Sequence, residues 1–218
     1  MKVGGKTVQT WHLDGLHQRH VRWNARSAGP ESAVLDASNA WVMDDGTRVG
    51  TERVQMTVHR AAGLGRAIDF RLTFEAEGGP VELLGAKGKG YGGLCLRFAP
   101  RKDTVITADA GVQPKDSNDK TFAWADLSAR FAGSAGTAGA AIFTHPRIGP
   151  RPGGWTIRHY GFLGPSWPGL ESYTLQPGAP VTLAYRVYVH RGRAEEADVA
   201  KAYASYAAAA GDTKGTSA

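Results

Sequence analysis

A single cysteine in 218 residues, Cys95, excludes any intramolecular disulfide. It sits between Leu94 and Leu96 in an apolar run, which reads as a core side chain rather than a nucleophile. Such cysteine usage suits a reducing compartment, and with no leader pattern at Met1 the expected location is the cytoplasm. No apolar run is long enough to cross a bilayer, so no membrane partner is expected. The net charge is +6, yet Lys and Arg are scattered and form no basic tract, so no nucleic-acid partner is expected either. The glycine-rich stretch Gly85 to Gly93 lacks the Gly-Lys-Ser/Thr ending of a phosphate-binding loop. Neither HExxH nor an HxH with a trailing Glu occurs, and His12, His17 and His20 alone leave a site short of ligands. No metal residue is therefore assigned and no cofactor is expected, a transition metal remaining the alternative. A nucleophile elbow is absent too.

What the chain does have is turns. With 29 glycines and 11 prolines, it breaks into short segments that alternate with a period of two. Asp14-Gly15 predicts a hairpin between Thr7–Leu13 and Leu16–Asn24, and Asp44–Thr47 another between Val34–Met43 and Arg48–His59. Further strands are predicted over Ala67–Glu75, Val81–Leu84, Leu94–Phe98, Thr104–Ala108 and Phe122–Phe131. In Val181–His190, Val181, Leu183, Tyr185, Val187 and Val189 take one face, and Arg186, Tyr188 and His190 the other. A helix is expected at about 194–210, with Val199, Tyr203 and Tyr206 at helical spacing on its packed side. These patterns predict an all-β, antiparallel sandwich with a short C-terminal α-helix, one domain over residues 1–211 and a frayed tail from 212 to 218.

Polar and aromatic side chains concentrate between Phe143 and Gly192. Asp126 shares a strand face with Trp124 and is a candidate general base, with His145 and His190 as candidate proton carriers. Arg97 and Arg158 are suited to a carboxylate or oxyanion, and Tyr160 to orienting a ligand. Trp167 offers a flat apolar plate for a sugar ring, and Trp124, beside Asp126, is a further candidate for substrate binding. Tyr91, Lys87 and Lys89 could reach the same ligand from the glycine-rich loop. Each has a structural alternative: Asp126 as half of an ion pair, a strand-end histidine as a satisfied side chain, Trp167 as a cover for the core.

The segments HPRIGPRPGGWTIRHYGFLGPSWPG, VTLAYRVYVHRG, GYGGLCLRFAP, TFAWADLSARF and AIFTHP together resemble a bacterial family that carries the name methane oxygenase PmoA. The resemblance runs from about Val34 onward and implies a soluble sandwich of the large type seen in sugar mutarotases. Members of that family carry an Asp-His-Pro-His-His-Arg type segment upstream, and this chain reads as an N-terminally short member. The expectation is a carbohydrate-related pocket protein acting on a small sugar-like molecule by mutarotase-like or glycoside-processing acid-base chemistry. The alternatives are a metal-dependent oxygenase, as the family name suggests, and a non-catalytic sugar-binding domain.

Overall fold

The computed structural model describes residues 1–85 and 88–212. Lys87 and the tail from 213 onward lie outside the described residues. In chain order the strands are β1 (Lys2–Val3), β2 (Lys6–Thr7), β3 (Leu16–Ala28), β4 (Ser32–Met43), β5 (Arg48–His59) and β6 (Gly65–Ala76). Then follow β7 (Val81–Leu84), β8 (Leu96–Arg97), β9 (Arg101–Ala108), β10 (Gly111–Val112), β11 (Trp124–Phe131) and β12 (Thr137–Thr144). The last are β13 (Gly154–Arg158), β14 (Phe162–Ser166), β15 (Ser172–Leu175) and β16 (Val181–Arg191), before helix α1 (Val199–Asp212).

One large antiparallel sheet has the order β10-β9-β11-β12-β16-β6-β5-β4-β3. Across its inner face lie two smaller sheets, β15-β7-β1-β2 and β13-β14-β8, which together make the second layer of a sandwich. The period-two patterns explain the core. Leu183 and Val187 of β16, Leu127 of β11 and Ile142 of β12 face Trp155, Ile157 and Leu163 of the three-stranded sheet, with Val81 and Leu175 from the four-stranded one. The opposite face of the large sheet carries a second apolar cluster, in which Trp124, Ala141 and Phe143 are covered by Ala194, Ala197, Val199 and Tyr206.

The helix starts later than its periodicity predicts. Asp198 takes a left-handed conformation (φ 50), so Arg193–Asp198 forms a turn and the helix opens at Val199. Glu195 and Glu196 consequently sit outside the helix, and Glu196 accepts a hydrogen bond from the Arg193 backbone N–H at 2.8 Å. The first hairpin also differs. Beyond Thr7 only a bridge between Gln9 and Asp14 forms, and β3 instead pairs along its length with β4, with bulges at His20/Arg22 and Trp23/Ala25. On the outer face of the β3–β5 meander Asp36 is buried, accepting from Arg53 Nη2 (2.6 Å), Asn24 (2.8 Å) and Gln55 (3.1 Å). The Arg53 guanidinium foremost, against the opposing effect of burial, lowers the Asp36 carboxyl to about 2.

Candidate functional site

Register across the three-stranded sheet builds the site. Phe162 of β14 pairs with Arg158 of β13 on one side and Arg97 of β8 on the other, so the three form one row on the face turned away from the core. Ile157 and Leu163 point the opposite way and are fully buried. From Gly88 on, the glycine-rich stretch lies against this outer face, where the Lys89 carbonyl accepts from the Thr156 hydroxyl at 3.3 Å, and its last two glycines cannot carry side chains beside Pro165 and Trp167. A Cβ on Gly92 would come within 2.4 Å of the Trp167 carbonyl oxygen. One on Gly93, which is also left-handed (φ 72), would come within 2.9 Å of the Pro165 oxygen. That close approach sets Tyr91 edge-on against Phe162, with ring centroids 4.9 Å apart.

Tyr160 reaches the same place from the turn after β13. Its hydroxyl lies 3.3 Å from that of Tyr91, and the Arg158 guanidinium stands over the Tyr91 ring at 5.8 Å. Arg158 is itself anchored, donating to the Ser117 carbonyl at 2.7 Å. Next to it His159 is held by Asp116, 2.8 Å from its Nδ1. Arg97 is exposed and flanked by two rings, Tyr160 at 6.0 Å and Trp11 at 5.5 Å. Trp11 is 70% and Tyr160 58% exposed, unusual for such large rings, and among the described residues neither Arg97 nor Arg158 forms an ion pair with a carboxylate.

Electrostatics separate the two phenols. Burial pushes Tyr91 up, but its bond with Tyr160 and the neighbouring Arg158 and Lys89 charges outweigh that and hold it below the usual tyrosine value. Tyr160 is raised, chiefly by its hydrogen bond to Tyr91 and by burial. Tyr91 is therefore the first of the pair to lose its proton.

The other sequence-derived candidates lie elsewhere. Trp167 is buried, stacked on Phe74 (6.2 Å) and tilted on Tyr173 (5.1 Å), so it is core rather than a sugar plate. Trp124 is buried beneath the helix. Asp126 and His190 do meet, at 2.8 Å, and Ser128 donates to the second oxygen of Asp126, but both side chains of the ion pair are wholly inaccessible. They face the helix side of the large sheet, whereas Arg158 faces outward from the opposite layer. Two layers about 10 Å apart separate them, so Asp126 and His190 cannot act on a ligand held by Arg97 and Arg158.

His145 also belongs to the helix side. Its ring meets Tyr206 edge-on at 5.6 Å, and its Nδ1 accepts from the backbone N–H groups of Arg147 (3.1 Å) and Ile148 (3.0 Å). Burial first, then the Arg71 and Arg147 charges, lower its pKa. With Nδ1 occupied by two donors, neutral His145 carries its proton on Nε2 and is not poised as a base. Nearby, Arg186 grips Asp69 through two bonds (2.6 and 2.8 Å) and lies 4.7 Å from the Tyr206 ring, which ties the helix to the sheet. Cys95 is half-buried and belongs to neither apolar cluster, and burial pushes its thiol up to about 11, which does not suit a nucleophile.

Of the candidates read from the sequence, Arg97, Arg158, Tyr160 and Tyr91 are brought together, along with Trp11 and Phe162, which the sequence did not single out. Trp11 sits in a loop without periodicity, and the alternation of β14 is interrupted by Gly164 and Pro165. Residues 2–204 match the model of a family of unknown function, DUF6807. The chain belongs to this family. The match corrects the likeness to the methane oxygenase PmoA family, since nothing links DUF6807 to PmoA or to methane oxygenation. No curated protein matches the chain. Membership in DUF6807 brings no activity with it. Among the described residues no helix is long and apolar enough to cross a membrane.

Proposed function

We propose that this protein binds a carbohydrate bearing a carboxylate, on the platform formed by Trp11, Arg97, Tyr160, Tyr91 and Arg158. The observation that carries the reading is the alternation of open aromatic rings with guanidiniums that have no carboxylate partner among the described residues. Aromatic faces take the C–H faces of a pyranose, and a guanidinium takes a carboxylate by paired, charge-assisted hydrogen bonds. Arg97 and Arg158 lie two strands apart, a backbone spacing of about 9.5 Å, which suits more than one sugar unit. Calorimetric titration with an oligouronate and with its methyl ester tests this. Binding of the acid, loss on esterification and a drop of about tenfold or more in Arg97→Gln are expected. Equal affinity for acid and ester, or full affinity in both Arg97→Gln and Trp11→Ala, refutes it.

The lowered phenol of Tyr91 favours a second reading, in which the bound sugar also undergoes acid-base chemistry of the mutarotase kind. Tyr91, as phenolate, takes the proton of the anomeric hydroxyl, and the Tyr160 phenol supplies one to the ring oxygen as the ring opens. Polarimetry on a freshly dissolved sugar anomer tests this step. Tyr91→Phe should abolish the catalysed change while leaving binding intact.

A further inference from the structure

At the far edge of the large sheet, β3 is more open than the rest of the sandwich. From Gln18 to Ala28, eleven successive strand residues are exposed, on both faces of the sheet. Its only strand partner is β4, which leaves the backbone N–H and C=O groups of the outer side unpaired among the described residues. The strand carries Arg19, Arg22 and Arg26 and no carboxylate, and none of these arginines forms an ion pair among the described residues. Trp23 is 46% exposed between His20, at 5.0 Å, and the Arg26 guanidinium, at 5.4 Å, and Val21 is 50% exposed. Exposed Trp combined with Arg is the composition of binding surfaces rather than of ordinary solvated strands.

We propose that the β3 edge is a docking site for an extended acidic segment of another protein, which adds to the sheet as a further strand. Unpaired backbone groups supply the ladder, Arg19 and Arg22 on one face select glutamate or aspartate opposite them, and Trp23 with Arg26 on the other face takes the apolar side of the added strand. A second copy of this chain is the wrong occupant. Two β3 strands paired antiparallel about Arg22 set that arginine against its own copy and bring no carboxylate to any of the three arginines. Nucleic acid fits less well, because phosphates accept hydrogen bonds and have nothing to offer the outward carbonyls. This surface is separate from the sugar platform and stands whether or not that reading holds.

The test titrates the intact protein with a labelled peptide of about twelve residues alternating valine and glutamate. Its comparators are the valine–lysine counterpart, an acidic peptide with proline for valine, and an oligothymidylate. Hydrogen exchange over residues 16–28 and light scattering accompany each titration. The valine–glutamate peptide is expected to bind, to slow exchange across β3, and to weaken with added salt. In Arg19→Glu/Arg22→Glu/Arg26→Glu its affinity should fall about tenfold or more, while the valine–lysine peptide now binds, a gain that an unfolded variant would not show. No binding of the acidic peptide overturns the proposal. So do equal binding of the proline peptide, tighter binding of the oligothymidylate, protection at the sugar platform instead of β3, or a dimer that protects β3.

Discussion

Removing the Asp126 carboxylate gives the sharpest test of its structural role. Asp126 and His190 are fully buried and 2.8 Å apart, Ser128 donates to the other carboxylate oxygen, and His190 Nδ1 lies 3.3 Å from the Arg191 carbonyl. Both ring nitrogens of His190 thus lie within hydrogen-bond reach of oxygen atoms, Asp126 on one side and the Arg191 carbonyl on the other. Asp126→Ala strands the histidine and the Ser128 hydroxyl in a dry site, at a cost of about 3–5 kcal/mol. His190→Ala strands the carboxylate, at a similar cost. Removing both leaves a void without an uncompensated charge, so the double variant should cost no more than either single one, with a coupling of about 3 kcal/mol. Urea unfolding followed by tryptophan fluorescence measures all three, and a total stability of about 5–15 kcal/mol keeps the singles within range. Additive losses, or an Asp126→Ala variant within about 0.5 kcal/mol of the parent, would refute the structural reading.

Three further outcomes are expected. Gly139→Ala places a Cβ 2.8 Å from both His190 Cε1 and Ser128 Oγ, and should destabilise the fold by about 1–3 kcal/mol in the same assay. Asp36 is depressed to about 2 in the fold against 3.8 otherwise, so its contribution is present above pH 3.8 and is lost as pH falls toward 2. Because Arg53 is half exposed, that contribution is on the order of 1–2 kcal/mol, and urea unfolding of Asp36→Asn should show a correspondingly flatter pH dependence. Tyr206→Ala removes a ring that touches Phe143, His145 and Arg186, and should cost about 3–5 kcal/mol. Hydrogen exchange should then accelerate selectively across the helix.

Much of the sandwich was legible in the sequence because half-buried strands write their faces into it with a period of two. Ile68, Phe70, Leu72 and Phe74 of β6, and the alternation of β16, fall on the expected sides. Where local pattern misled, a tertiary or backbone effect outweighed it. Asp14-Gly15 suggested a hairpin, but β4 offered β3 a far longer partner; the helical spacing after Arg193 is cut by one left-handed residue. The site divided along the same line. Register could place Arg97 and Arg158 in one row only once β14 was known to run between them. Alternation alone could not reveal that the polar face of β16 lies under a helix, which turns His190 from a rim residue into a buried one.

The order of the strands also governs how the molecule comes together. Strands β3 to β6 form a local meander, in which each strand pairs with its neighbour in sequence. The sheet is completed only when β6 meets β16, joining Asp69 to Arg186 across 117 residues. Contacts of such sequence separation carry a large chain-closure cost and slow the folding rate. Tyr91, Arg97, Arg158 and Tyr160 all lie within the long excursion between those two strands. The ligand platform should therefore appear with the slow, long-range closure, while strand signal from the meander can form ahead of it.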